Sequence, residues 1–342
     1  MHIENRYLLK FNGVSCLGCI AAINQKIKDT TNLDLIQISK ADGSVICTTS
    51  HTEKYLRENL SAFQGCCKNC KIELDGLTIV SDDFDTNLEV TRSDRNKLIK
   101  TQYRIALQRA LNNEEVACSE HCVCKITDIG RLDEFRDAPS FASVYNLSEA
   151  IQDYLTPGSS IIDYGCGTGH DVFRIAPIIS PGNVVGIDIT PEMIEHAKSI
   201  ALKNGIENVQ FIVGGDLSSI LDESVNIVYA NNVFNIIEQK TEFIQSCYNK
   251  LVDGGKLIIA DEFAIDNLPR EIQYDPEFLC GGIAGALTYH QIRNIVEKRG
   301  LLIQQVIHVN AYDLAYNNAE YSMETSIIIA QKGLYSNYTQ SP

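Results

Sequence analysis

One stretch of ten residues constrains this chain more than any other: Ser160-Ile161-Ile162-Asp163-Tyr164-Gly165-Cys166-Gly167-Thr168-Gly169, an apolar run that breaks into alternate glycines. The apolar half reads as a buried strand, and the glycines as a turn where backbone can approach a ligand closely. A helix over residues 171–179 follows, and its N-terminus offers free N–H groups to that turn. The pattern then repeats. Val184-Val185-Gly186-Ile187-Asp188 is a second buried strand, ending in an acid 19 residues beyond Gly169. Pro191 opens a helix through Ala201, Val209–Val213 with Gly214-Gly215-Asp216 gives a third strand and turn, and Val225–Ala230 a fourth, ending at Asn231-Asn232. Gly254-Gly255-Lys256 leads into Leu257–Ala260, a fifth strand that stops at Asp261. Strands alternating with helices make an α/β open sheet, with a ligand at the strands' carboxyl edge. An acid at that spacing after a glycine turn is what clamps a ribose diol.

The first eighty residues are built differently. Tyr7–Phe11 reads as a strand, 17–28 as a helix with Ile20, Ile23 and Ile27 on one face, and 33–39 and 44–48 as a hairpin about Asp42-Gly43. A second helix over 52–63 and one or two short strands over 71–80 complete a small α+β unit of ferredoxin-like order, βαββαβ. Between its first strand and first helix stands Gly13-Val14-Ser15-Cys16-Leu17-Gly18-Cys19. Two thiols at that spacing converge on one soft ion, and a helix N-terminus lowers thiolate pKa, so Cys16 and Cys19 are candidate ligands for Cu(I), Zn(II) or As(III). A redox pair and inert packing are the alternatives. Cys66, Cys67 and Cys70 stand open between a second thiol site and a tolerated surface cluster.

Nine of the 12 cysteines fall in the first 124 residues. Clustered thiols in a reducing compartment serve as ligands or redox groups rather than as disulfides. Residues 81–91 read as an acidic linker and 98–111 as a helix, which runs into Cys118, Cys122 and Cys124. The C-x3-C-x-C spacing is not a standard zinc pattern. A thiolate-rich acceptor site and a lid with incidental thiols are the two readings. Charge separates the parts again: residues 1–80 hold 9 Lys/Arg and 8 Asp/Glu, whereas the whole chain carries a net charge of −15. Such a surface repels phosphate backbones and anionic lipid, so neither nucleic acid nor a membrane is the expected partner. The expected setting is the cytoplasm. The expected domains are 1–80, a Cys-rich lid segment over 81–150, and 151–335.

The Gly13–Cys19 loop and its element order resemble the heavy-metal-associated domain of copper chaperones and metal-pumping ATPases, with Val14 and Ser15 where that family has Met and Thr. The resemblance implies metal binding and a metal-transfer partner. The segment from Ser160 to about residue 330 resembles class I S-adenosylmethionine-dependent methyltransferases, which have a Rossmann-like sheet. It implies S-adenosylmethionine as cofactor: Asp163, Gly165, Gly167 and Gly169 at its amino-acid end, Asp188 on the ribose, Ile189 and Met193 near the adenine, Asp216 on the adenine amino group, and Asn231 beside them. Asn231–Ile236, Gly282–Tyr289 and Tyr103–Cys118 are similar to stretches of arsenite methyltransferases, which hold trivalent arsenic on thiolates. Cys118 keeps one such thiol, while Asn232 and Gly282 stand where that family has cysteines. Cys280, two residues earlier, substitutes if the loop shifts. A metalloid acceptor on Cys118, Cys122 and Cys124 is one expectation. An ordinary oxygen, nitrogen or carbon nucleophile oriented by Asn232 is another, and a non-catalytic metal sensor a third. No general base is assigned; His170 reads as shaping the cofactor pocket and His290 as a structural hydrogen-bonding group.

Overall fold

The computed structural model describes residues 5–12, 17–31, 36–38, 44–64, 71–79, 92–111, 151–273, 278, 282–317 and 319–333. Cys16, Cys66, Cys67, Cys70, Cys118, Cys122, Cys124 and Cys280 lie outside them, as does the acidic linker. The chain divides into two compact units.

In the first, β1 (Asn5–Asn12), β2 (Ile36–Ile38), β3 (Val45–Thr49), β4 (Ala62–Gln64) and β5 (Lys71–Ile79) form an antiparallel sheet in the order β2-β3-β1-β5-β4. Helix α1 (Leu17–Thr31) buries Cys19, Ile23 and Ile27 with Tyr7, Leu9 and Phe11 of β1. Helix α2 (Glu53–Leu60) is capped by Thr52, whose side chain accepts from the Tyr55 amide at 3.2 Å, and buries Leu56 and Leu60. It ends earlier than the periodicity suggests. Phe63 turns to stack edge-on against Phe11, centroids 5.9 Å apart, and pairs with Ile72, so residues 62–64 become a strand instead. Helix α3 spans Arg92–Leu111, six residues longer at its start than the apolar pattern implies.

The second unit holds a seven-stranded sheet of order β11-β12-β10-β9-β6-β7-β8. Its strands are β6 (Ser160–Tyr164), β7 (Asn183–Asp188), β8 (Val209–Val213), β9 (Val225–Asn231), β10 (Leu251–Ala264), β11 (Leu301–Tyr316) and β12 (Ala319–Lys332). β6 through β10 pair in parallel, while β12 runs antiparallel between β10 and β11. The connecting helices are α4 (His170–Ile179), α5 (Pro191–Asn204), α6 (Lys240–Lys250), α7 (Arg270–Gln273) and α8 (Tyr289–Glu297).

Because strand side chains alternate between faces, neighbours in sequence enter different cores. Ile161, Ile227, Tyr229 and Ile258 pack into one, Ile162, Val228, Ala230 and Ile259 into the other. Both faces are covered, which is why these strands read as unbroken apolar runs. β10 passes the end of β9 by four residues, from Asp261 to Ala264, and stays paired to β12. There Ala264, Leu268, Ile272, Phe278, Ile283 and Met323 make a separate small core at the carboxyl rim. Among the described residues no helix is long and apolar enough to cross a membrane.

Ile162 is fully buried on the central strand, whereas Leu221 is 78% exposed. Ile162→Ala should therefore cost about 2–5 kcal/mol in urea unfolding of this unit, through lost transfer energy and a cavity. Leu221→Ala should stay within about 0.5 kcal/mol.

Candidate functional site

The carboxyl ends of β6 and β7 are tied together by backbone. The amides of Gly165 and Cys166 both donate to Ile187 O, at 2.7 and 3.1 Å. Gly165 has φ +79°, and a Cβ there would stand 2.6 Å from Val233 Cγ2, so both conformation and space demand glycine. Gly167, at φ +52°, has nothing within 4 Å of its Cβ direction, which leaves that side of the turn open to a ligand. Asp188, the last residue of β7, closes the arrangement. Its Oδ2 accepts from the Gly167 amide at 3.0 Å and its Oδ1 from the Thr190 amide at 2.8 Å. A carboxylate oxygen has more than one acceptor position, so Asp188 can hold the loop and still receive a hydroxyl.

Three acids share this corner. Asp163 is buried on β6. Asp171, in the first turn of α4, accepts from Tyr229 Oη at 2.5 Å and Asn231 Nδ2 at 3.1 Å. Burial, and then the charges of Asp171 and Asp188, push the Asp163 carboxyl well above the usual carboxylate range. Burial, followed by Asp163 and Asp188, pushes the Cys166 thiol up as well, so it is no thiolate nucleophile. Burial and Asp171 likewise hold the Tyr229 hydroxyl protonated. A corner this electronegative favours a cation, and a sulfonium bearing an α-ammonium group fits it.

Asp163, Gly165, Gly167, Gly169, Asp188 and Asn231 are thus brought together. Ile189 is half-buried, with Cγ2 3.1 Å from where a Gly215 Cβ would stand. Met193 is buried in α5. Asp216 is exposed beyond β8, its carboxylate held below its ordinary range by the Ser218 hydroxyl and amide. Cys19 is fully buried in the core of the first unit. Among the described residues no three His, Cys, Asp or Glu side chains group as a metal centre.

Further along the rim, the Asn232 amide donates to Ala260 O at 2.8 Å, and Asn232 holds φ +52°. Asp261 is fully buried, accepting from the Asn235 amide at 3.0 Å and the Glu262 amide at 2.9 Å. Burial pushes its carboxyl up to about 7. Glu262, also raised by burial, accepts from Tyr312 Oη at 3.0 Å and from Thr325 Oγ1. The residue reading missed Asp171, Tyr229, Asn235 and Glu262. Asp171 carried one signal, an acid two residues after a glycine turn; Tyr229 and Glu262 read only as strand residues.

The methyltransferase-domain family matches residues 155–308. The arsenite methyltransferase of Halobacterium salinarum is 38% identical over 149 residues, which are 43% of this chain and 38% of that protein. The arsenite methyltransferase of Mus musculus is 28% identical over 232 residues, 64% of this chain and 54% of that one. The chain therefore spans between 38% and 54% of the length of these two relatives. Among solved structures, an arsenic(III) S-adenosylmethionine methyltransferase from Chlamydomonas reinhardtii aligns with TM-score 0.46 and 24% identity, over 53% of this chain and 66% of that one. Residues 155–308 of this chain thus match a methyltransferase domain and are similar to segments of arsenite methyltransferases.

Proposed function

We propose that the chain is an S-adenosylmethionine-dependent methyltransferase whose acceptor is a trivalent arsenical carried on the thiols of Cys118, Cys122 and Cys124. The observation that carries the methyl-donor half is Asp188, fixed by the Gly167 and Thr190 amides at the end of the second parallel strand. The acceptor half is supported by the likeness to arsenite methyltransferases and by the softness of sulfur toward arsenic.

The donor supplies an electrophilic methyl on a sulfonium whose charge disappears on transfer. Asp188 receives the ribose hydroxyls, and the open side of Gly167 lets the rest of the donor lie against backbone. Asp163 and Asp171 face the cationic end. An arsenic lone pair attacks without losing a proton, so the protein's work is alignment and exclusion of water. The first unit, on this reading, is a ferredoxin-like thiophilic module for copper, zinc or arsenic with Cys16 and Cys19 as ligands, and a metal-transfer partner delivers to it. The strand sequence β2-β3-β1-β5 supports this, with β4 as an addition at the edge. The domain limits remain 1–80, 81–150 and 151–335.

Asp188→Ala should weaken S-adenosylmethionine binding at least about tenfold by calorimetry, the scale of a lost charge-assisted hydrogen bond. Unchanged affinity would remove the donor reading. The raised Asp163 carboxyl gives a pH test. A bound cation favours the ionised form, lowering its pKa, so binding should release a proton and affinity should rise with pH. Calorimetry in two buffers of different ionisation heat reads that proton, and Asp163→Asn should abolish the release without lowering the melting temperature. For the acceptor, methyl transfer to arsenite with glutathione should stop in Cys118→Ser. Consumption of the donor at one rate with or without arsenite would instead point to an ordinary small-molecule acceptor.

A further inference from the structure

Three separate stretches of the second unit converge on one point of the rim. A Cβ at Gly282 would stand 3.5 Å from Asn235 Cβ, 3.5 Å from Asp261 Oδ1 and 3.6 Å from Asn232 Oδ1, all ordinary contacts. Asn232 is 7% exposed and Asn235 fully buried, and among the described residues the carboxamide oxygen of each has no hydrogen-bond partner. A buried acceptor left without a donor is costly, and Asn232 adds the strain of a left-handed backbone. Neither asparagine is a loose end. The Asn235 side-chain amide donates to Glu262 O at 2.6 Å, and Lys240 Nζ donates to Asn235 O at 3.1 Å and Ile237 O at 2.7 Å. Gly285 approaches so closely that a Cβ there would lie 1.8 Å from Asn235 O, which locks this turn against residues 283–286.

Rigidly held, unsatisfied acceptors beside a buried carboxyl describe what is missing: hydrogen-bond donors. Carbonyl oxygens only accept, and an ionised carboxylate only accepts, so the complementary group carries several donor hydrogens.

We propose that Asn232, Asn235 and Asp261, grouped around Gly282, form an acceptor subsite for a small nucleophile presenting two or more O–H or N–H hydrogens. The inference rests on the methyl-transfer reading, since the group held there is the methyl acceptor. Two sources share this chemistry: the hydroxyls that arsenous acid keeps where thiolates have not displaced them, and a primary amine. With arsenic, its lone pair forms the As–C bond while the S–C pair returns to sulfur, and the methylated arsenic(V) cation then gives up one O–H proton to water or to Asp261. With an amine, the nitrogen lone pair forms the C–N bond, the S–C pair returns to sulfur, and an N–H proton passes to Asp261. That carboxyl, raised toward neutrality by burial, is placed to take it.

The test titrates arsenous acid and ethanolamine, without any thiol, into the full chain saturated with S-adenosylhomocysteine. Two variants accompany the wild type: Asn232→Gly, which keeps the positive φ and removes the carboxamide, and Gly282→Ala, whose methyl fills the shared point. One probe should bind the wild type, and both variants should weaken it about tenfold or more with S-adenosylhomocysteine affinity unchanged. Which probe binds names the source. Binding of neither probe, or binding indifferent to both variants, overturns the subsite. Variant-sensitive binding of a probe without methyl transfer to arsenite upholds the subsite and sinks the arsenical reading. Arsenite methylation with variant-indifferent binding does the reverse.

Discussion

The Asp188 carboxylate is the joint on which the second unit's chemistry turns. One side chain, at the end of β7, holds the amide of Gly167 in the turn after β6 and the amide of Thr190 ahead of α5. Two parallel strands, a glycine turn and a helix entry are thereby fixed to each other by charge-assisted hydrogen bonds, each stronger than a neutral one. The turn cannot open without breaking them. The same carboxylate adds to the burial and the Asp171 charge that raise Asp163, so it acts on both the geometry of the loop and the electrostatics of the corner.

Electrostatics divides the rim into two ends. Near β6 and α4, burial and then the charges of Asp171 and Asp188 push the Asp163 carboxyl up, an arrangement suited to a cation. Around β10, the buried groups are Asp261 and Glu262 with two asparagines, held by backbone amides, Tyr312 and Thr325. Burial is the first cause of the raised carboxyls at both ends, and neighbouring acids add to it at Asp163. One end is prepared for charge and the other for donor hydrogens.

Much of the second unit was legible because its signals are local. Apolar runs bounded by glycine or an acid located β6 to β9 to within a residue or two, since doubly covered parallel strands carry no alternation to misread. The places of Asp163 and the glycines in the fold follow from the first of these runs, and that of Asp188 from the end of the second. What escaped depends on contacts distant in sequence. Glu262 meets Tyr312 and Thr325, 50 and 63 residues away, and nothing in the strand's own pattern marks it. Asn235 matters through Gly285, a contact no periodicity encodes. In the first unit, the pull of Phe11 on Phe63 ended a helix that propensity would have continued. Tertiary packing overrode local preference there.

The overrun of β10 past β9 has its own effect on how this rim can change. Because the added length is braced by β12 rather than by β9, the wall beside Asp261 and Glu262 belongs to the hairpin of β11 and β12, with its own apolar centre at Leu314 and Met323. The corner around Asp188, by contrast, is braced by β6, β7 and β9. Substitutions in the hairpin can thus reshape one neighbourhood while the other stays rigid, so the two ends of the rim are free to diverge at different rates.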